Sequence, residues 1–242
     1  ALSIIFVAQV GGMLLEEDPP TTRISLEGKW LSILGNSDSY SDPTYNDSSW
    51  KKTDLPGFNL NLYDTDDSID SKLPPKGYVW FRKKLNLEKV PEEELVLQIQ
   101  DTHVDRVFIN GVKIGQTGEF PPHHESGWLT FRSYQIPKEV LKTGENTIAM
   151  QLYYNVDVWV TGPIEIVSKR YGKIRKLKYE IYIGHFTAAF CVILVTVSVF
   201  LLFFYFKRPY EKEYLLFSMS SASMIVAFSY HLFVKYYSAH PI

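Results

Sequence analysis

Cysteine is almost missing from this sequence: its 242 residues include one, Cys191. That residue lies inside an apolar run, so the preceding part of the chain can form neither a disulfide nor a thiolate zinc site. Amphipathic helical periodicity is also missing between Ile24 and Ser168, apart from a short turn at Lys138 to Lys142, and this excludes a helical bundle there. Positive charge is scarce in the same region. From Glu16 to Ser168 there are 15 Lys and Arg against 24 Asp and Glu, a net of −9. From Lys169 to Ile242 it is acidic residues that are rare, with 10 Lys and Arg against 3 Asp and Glu, a net of +7. The acidic region argues against a nucleic-acid partner, because phosphate contacts need a basic surface. The basic region suits contact with membrane lipids at their headgroups. The overall net of −2 therefore averages two unlike pieces, with a boundary near residue 168.

Charge vanishes altogether from two runs in the second piece. Ile181 to Phe206 contains no Asp, Glu, Lys or Arg. As a helix its 26 residues would extend roughly 39 Å, more than the roughly 30 Å of a hydrocarbon core. Tyr182 and Tyr205 stand near its ends, where aromatic side chains favour the interface. A second uncharged run, Tyr214 to Val234, predicts a second transmembrane helix. It is rich in small residues, and the spacing of Ser218 with Ala222 and of Ser223 with Ala227 lets helices approach closely. That composition predicts further transmembrane helices as partners. His231, inside this run, is read as a snorkelling or packing residue. Between the runs, Lys207 to Glu213 forms a hairpin in which Pro209 ends the first helix.

Topology is pulled in two directions. The three basic residues of the hairpin place it in the cytoplasm, whereas residues 169–180, a juxtamembrane segment with six basic residues, would draw the preceding domain there instead. Export of the domain is favoured, because long domains translocate largely regardless of charge. Residues 1–15 also resemble the rear of a secretory signal, followed by the polar exit Glu16-Glu17-Asp18-Pro19-Pro20.

The exported domain is expected to cover residues 20–168, and between Ile24 and Ser168 the pattern has a period of two. Val79, Phe81, Leu85 and Leu87 share a face, with Lys83 as the exception; Leu95, Leu97 and Ile99 alternate, as do Ile148, Met150, Leu152 and Tyr154. Asn110-Gly111 between two short apolar runs predicts a two-residue hairpin turn, and Gly144-Glu-Asn146 punctuates the chain before the last long strand. Short strands broken by turn chemistry predict a mainly β fold, a sandwich rather than a parallel sheet.

Trp30, Asn46-Asp-Ser-Ser-Trp50-Lys-Lys-Thr-Asp-Leu-Pro56 and Gly77-Tyr-Val-Trp80-Phe81-Arg82 are similar to the N-terminal jelly-roll of family 2 glycoside hydrolases. So are Val107-Phe-Ile-Asn110-Gly111-Val-Lys-Ile-Gly115 and Tyr134-Gln-Ile-Pro-Lys-Glu-Val-Leu141-Lys-Thr-Gly144-Glu-Asn146-Thr-Ile. The resemblance covers most of Ile24 to Ile166 and implies a galactose-binding-like jelly-roll β-sandwich, here followed by transmembrane α-helices. In a chain that then enters a membrane, the arrangement resembles bacterial seven-transmembrane receptors with diverse intracellular signalling modules. It implies a bacterial inner-membrane protein whose N-terminal domain is exported to the periplasm or cell exterior. It also implies seven spans and an output module, such as a phosphatase, cyclase, diguanylate cyclase or histidine kinase. Two spans without an output module predict that the sequence is a fragment of such a receptor.

The sequence carries no catalytic constellation. The family 2 jelly-roll is an accessory module, and the paired carboxylates of glycosidases belong to a barrel domain that is not in this sequence. Asp64, Asp66, Asp67 and Asp70 lack the glycine and closing glutamate of a calcium loop and read as solvated. His123-His124, with Glu119 and Glu125, has metal-ligating groups, but neighbours on an extended chain point to opposite sides, so no metal or other cofactor is expected. Asn46-Asp-Ser48 matches a glycosylation sequon, a short pattern of little weight. A site for a carbohydrate or other small molecule is the natural expectation, since aromatic faces with a few polar groups suit such ligands. The candidates are Trp128, Trp159, His123, Arg132, Tyr153 and Tyr154, with a core role for Trp128 and Tyr154 as the plainer reading. Three functions follow: a transmembrane sensor, a membrane-tethered accessory domain of a carbohydrate-processing enzyme, or a module that binds another protein.

Overall fold

A computed structural model describes residues 21–57, 76–100, 103–127, 130–155, 158–181 and 187–239. Among these, ten strands form two antiparallel sheets. One has the order β1 (Arg23–Ser25), β10 (Thr161–Ser168), β5 (Leu95–Gln100), β8 (Arg132–Ile136). The other runs β3 (Lys51–Leu55), β2 (Gly28–Leu34), β4 (Lys76–Leu87), β9 (Gly144–Asn155), β6 (Val104–Ile109), β7 (Val112–Thr117). The expected alternation is what brings them together. Leu97, Ile99, Ile164 and Ile166 of the smaller sheet meet Val79, Phe81, Ile148, Met150 and Leu152 of the larger in one buried core. Burying a side chain of this size stabilises by about 1.5–3 kcal/mol.

Lys83, the exception in the β4 pattern, sits beside Trp30. Its Nζ donates to the carbonyls of Glu27 and Lys29 at 3.0 and 3.1 Å and lies 5.7 Å from the Trp30 ring centroid. The stem is thus covered while the ammonium reaches backbone oxygens at the sheet margin. Burial holds its pKa below the usual lysine range.

Asn110 and Gly111 join β6 to β7 with φ of 50° and 83°, the two positive values that a tight hairpin of this kind requires. Asn110 does more than turn the chain. Its Nδ2 donates to the Asn146 Oδ1 at 2.8 Å and to the Val140 carbonyl at 2.7 Å, while its Oδ1 accepts from the Thr147 amide at 2.9 Å. Asn146, fully buried, donates in turn to the carbonyls of Lys142 and Gly144. Two turn motifs distant in sequence are therefore one hydrogen-bonded unit.

The outer face of the larger sheet carries a second apolar cluster, with Trp50, Trp80 and Ala149 buried against Leu31, Ile33, Tyr40, Tyr45 and Phe108. Arg82, 1 % exposed, fastens the 36–50 loop over it. Its Nε donates to Asp47 at 2.8 Å, and its Nη1 donates to the carbonyls of Tyr40 and Asp42 at 2.6 and 2.8 Å. Asp47, Trp50, Trp80 and Arg82, which belong to two separate sequence motifs, thus meet in one place.

Three helices follow: α1 (Lys169–Ile181), α2 (Thr187–Lys207) and α3 (Lys212–Ala239). Packing divides the chain after Lys176. The basic segment predicted only as juxtamembrane is thus helical from Lys169 to Ile181, and its first turns dock on the smaller sheet. Gln98 Nε2 donates to the Gly172 carbonyl at 2.9 Å, Lys169 pairs with Glu94 at 3.2 Å, and Arg175 pairs with the buried Glu165, which also binds Arg23 at 2.6 Å. In the second unit, α2 and α3 pack as a hairpin, and Ser198 and Ser218 exchange hydroxyl–carbonyl hydrogen bonds at 3.1 and 3.0 Å across the contact. Ala222, Ser223 and Ala227 are exposed. Among the described residues one helix is long and apolar enough to cross a membrane, Ala188–Lys207, with a mean hydropathy of 2.7. Part of the first predicted span, and all of residues 1–15, lie outside the described residues.

A β-carbon on Gly172 would stand 2.4 Å from Val96 Cγ2 and 2.9 Å from Gln98 Nε2. Gly172→Val is expected to lift α1 from the sheet at a cost of about 1–3 kcal/mol. Hydrogen exchange should then accelerate at the amides of residues 170–176 while β4 and β9 keep their protection.

Candidate ligand-recognition site

Strand register collects the candidate residues at one end of the sandwich. There β4 begins beside the end of β9 (Lys76 opposite Asn155), and β6 begins between the ends of β9 and β7 (Val104 opposite Tyr153, Asp105 opposite Thr117). In the other sheet β8 and β10 both begin beside the end of β5 (Arg132 opposite Ile99, Thr161 opposite Gln100). Tyr153, Tyr154, Trp159, Arg132 and His123 all belong to this end; Trp128 and the loop of Asp64 to Asp70 lie outside the described residues. Sharing an end does not give them one environment.

Arg132 and Tyr154 point into the interior. Tyr154, 2 % exposed, belongs to the main core and lies over Gly77, where a β-carbon would stand 2.8 Å from its hydroxyl. Arg132 donates through Nε to Asp105 Oδ1 at 2.6 Å, and both side chains are fully buried. Tyr134 donates to the other carboxylate oxygen at 2.6 Å, and Thr117 Oγ1 lies 2.6 Å from the same phenol. The ring of Tyr134 presses on Gly115, where a β-carbon would stand 2.0 Å from Cδ1, so the motif glycine is required by close approach. Burial pushes Asp105 above the usual carboxylate range against the pull of Arg132 and Tyr134, and it pushes Tyr134 well up, so the phenol keeps the proton it donates. Both residues are structural ties between the sheets rather than surface contacts.

Other rings gather at this end on the outer face of the larger sheet. Tyr153, 8 % exposed, lies beneath Tyr78 (ring centroids 5.2 Å apart) and His124 (4.9 Å), which cover it. Tyr78 stacks with Phe120 at 6.0 Å and 4°, and the Arg106 guanidinium lies 5.2 Å from the Phe120 centroid. Trp159, half-buried in the β9–β10 connection, packs on His103 at 4.6 Å, and His103 Nδ1 is 3.3 Å from Ser126 Oγ. His123 is exposed, and its neighbour His124 turns to Tyr153, as opposite-pointing neighbours should. Glu119 and Glu125 pair through their backbones, and no three His, Cys, Asp or Glu side chains converge among the described residues. Phe120 and His103 carry no motif signal; Tyr78 lies within the Gly77-Tyr-Val-Trp80 motif, and parity along β4 puts it on the face of Trp80 and Arg82. Chemically the end offers ring faces edged by hydroxyl, imidazole and guanidinium groups, an arrangement for binding rather than bond cleavage.

Removing one member of the buried pair exposes its cost. Arg132→Met is expected to destabilise by about 3–5 kcal/mol at neutral pH, because it leaves Asp105 buried without its cation. The folded-state pKa of Asp105 is raised, so the missing stability should return as pH falls through that value and Asp105 takes up a proton. Thermal unfolding of both chains across the acidic range would measure it.

No family model matches the sequence and no curated protein matches it. Solved structures similar to it include a calcium-binding mutant of Bacteroides uniformis β-glucuronidase 2, with 17% identity over 61% of this chain and 18% of that one and a TM-score of 0.48. A β-glucuronidase from glycoside hydrolase family 2 has 22% identity, coverage of 54% and 14%, and a TM-score of 0.41. For a β-glycosidase from Bacteroides vulgatus the values are 21%, 60% and 20%, and 0.43. The chain spans no more than a fifth of the length of each of these three.

Proposed function

We propose that the chain is the sensing part of a bacterial membrane receptor whose jelly-roll domain binds a ligand, carbohydrate by class, at the Tyr153–Trp159 end. The observation that carries this reading is the course of β10. The strand begins two residues after Trp159 and runs the length of its sheet; at Ser168 it passes into α1 with no intervening loop. An element that touches the recognition end therefore continues directly into the helix that leads towards the apolar segments, and the bonds of Gly172 and Arg175 hold that helix to the sheet. A ligand acts through such a link only by binding one arrangement better than another. An accessory domain of an enzyme has no need of it.

Membrane insertion is supported by side-chain exposure. Val192, Ile193, Val199, Phe200, Phe203 and Phe206 on α2, and Leu216, Phe217, Met219 and Val226 on α3, are all more than half exposed. Lipid accommodates such a surface and water does not. The exposed pair Ser223 and Ala227, one turn apart, supports contact with further transmembrane helices, and the receptor family implies both those helices and the output module.

A glycan array probed with the full chain in uncharged detergent tests the ligand class. Tyr153→Ala and Trp159→Ala are each expected to weaken binding roughly tenfold, about 1.4 kcal/mol. Silence across the array, with retention of a partner protein instead, would move the domain to the interaction class. For topology, Lys142→Cys should react with a membrane-impermeant maleimide on intact cells while Lys212→Cys should not; the reverse pattern would place the domain in the cytoplasm.

A further inference from the structure

Away from the aromatic end, the outer face of the larger sheet holds a cleft of about 320 Å³ whose charge opposes that of its surroundings. It is lined by Lys29, Lys52, Arg82, Lys83 and Lys84, with Asp47 the one carboxylate and Trp30 and Leu31 as apolar walls. Five cations meet here in a region that carries a net of −9. Register explains the convergence: Leu31 pairs with Lys52 on β3 and with Arg82 on β4, so the three strands point these side chains to the same face.

The cations are not equally engaged. Lys83 is held by backbone carbonyls. Lys29 pairs with Asp54 at 3.3 Å and Lys84 with Glu145 at 3.0 Å, but all four side chains are more than half exposed, and pairs of that kind contribute little and exchange readily. Lys52 is exposed, with no ion-pair partner among the described residues. Arg82 is the decisive group. Its side chain is 1 % exposed and its Nε and Nη1 are engaged, yet its Nη2 has no hydrogen-bond partner among the described residues. A buried guanidinium donor without an acceptor is costly, and a charged acceptor is what it binds best.

We propose that this cleft is an oxyanion site, with the Arg82 guanidinium at its floor and Lys52 and Lys84 closing from its rim on a sulfate or carboxylate group of a soluble ligand. The planar guanidinium fixes the direction of approach; the lysines supply adaptable charge. The site is separate from the aromatic end, and neither requires the other.

Equilibrium dialysis of the full chain in uncharged detergent against radiolabelled sulfate, with ionic strength held by chloride, tests it. Saturable uptake is expected, unaffected by glucose or by Tyr153→Ala. Displacement by glucuronate assigns the site to carboxylates as well, and its failure to displace restricts the site to sulfate. Lys52→Glu with Lys84→Glu should lower affinity roughly tenfold or more, while Lys52→Arg with Lys84→Arg retains it. Uptake that does not saturate, or that is equal in the glutamate variant, would overturn the proposal, as would loss in both double variants.

Discussion

The antiparallel pairing of β4 with β9, twelve residues against twelve from Lys76 opposite Asn155 to Leu87 opposite Gly144, is the constraint on which the rest depends. It lies at the centre of the larger sheet, and both of its faces are furnished. One parity, Val79, Phe81, Met150 and Leu152, fills the space between the sheets. The other, Tyr78, Trp80, Arg82, Gln151 and Tyr153, builds the outer aromatic cluster, anchors the 36–50 loop and presents rings at one end. A slip of one residue would exchange the two sets and place Arg82 in the main core. Few strands have both faces so fully committed, and the register is correspondingly well specified.

Much of this was legible in the sequence. Period-two patterning gave β4, β5 and β9 their inward faces, and Asn110-Gly111 its turn, because both signals are local: one follows from the pleat, the other from the steric demand of positive φ. What was not legible depends on tertiary contact. Arg132 reads as a surface group until β6 brings Asp105 within reach of it, whereas Tyr154 already alternates with Ile148, Met150 and Leu152 and lies in the core as its plainer reading has it. The helical start of α1 was missed for a related reason. Its run of lysines and arginines lacks an amphipathic pattern, and Glu165, Gln98 and Val96 of the sheet supply the partners that fix it.

The candidate site was legible by location more than by membership. Tyr153, Trp159 and His123 share one end of the sandwich, since connections between strands cluster there. Alternation along β9 separates Tyr153 from Tyr154: Tyr154 shares the inward face of Ile148, Met150 and Leu152, and Tyr153 lies on the other. Tyr78 and Phe120 enter only through register and loop closure.

The pairing of Asn110 with Asn146 bears on how this domain tolerates rearrangement. Hairpin tips are ordinarily the cheapest places to open a chain, graft a loop or move the termini, because few bonds are lost. Here the tip between β6 and β7 and the approach to β9 hold each other's backbone groups, so cutting at one would unsatisfy buried polar atoms at the other. A circular permutant opened at this corner would forfeit two turns for one break, and new ends are better accommodated where no such reciprocal tie exists.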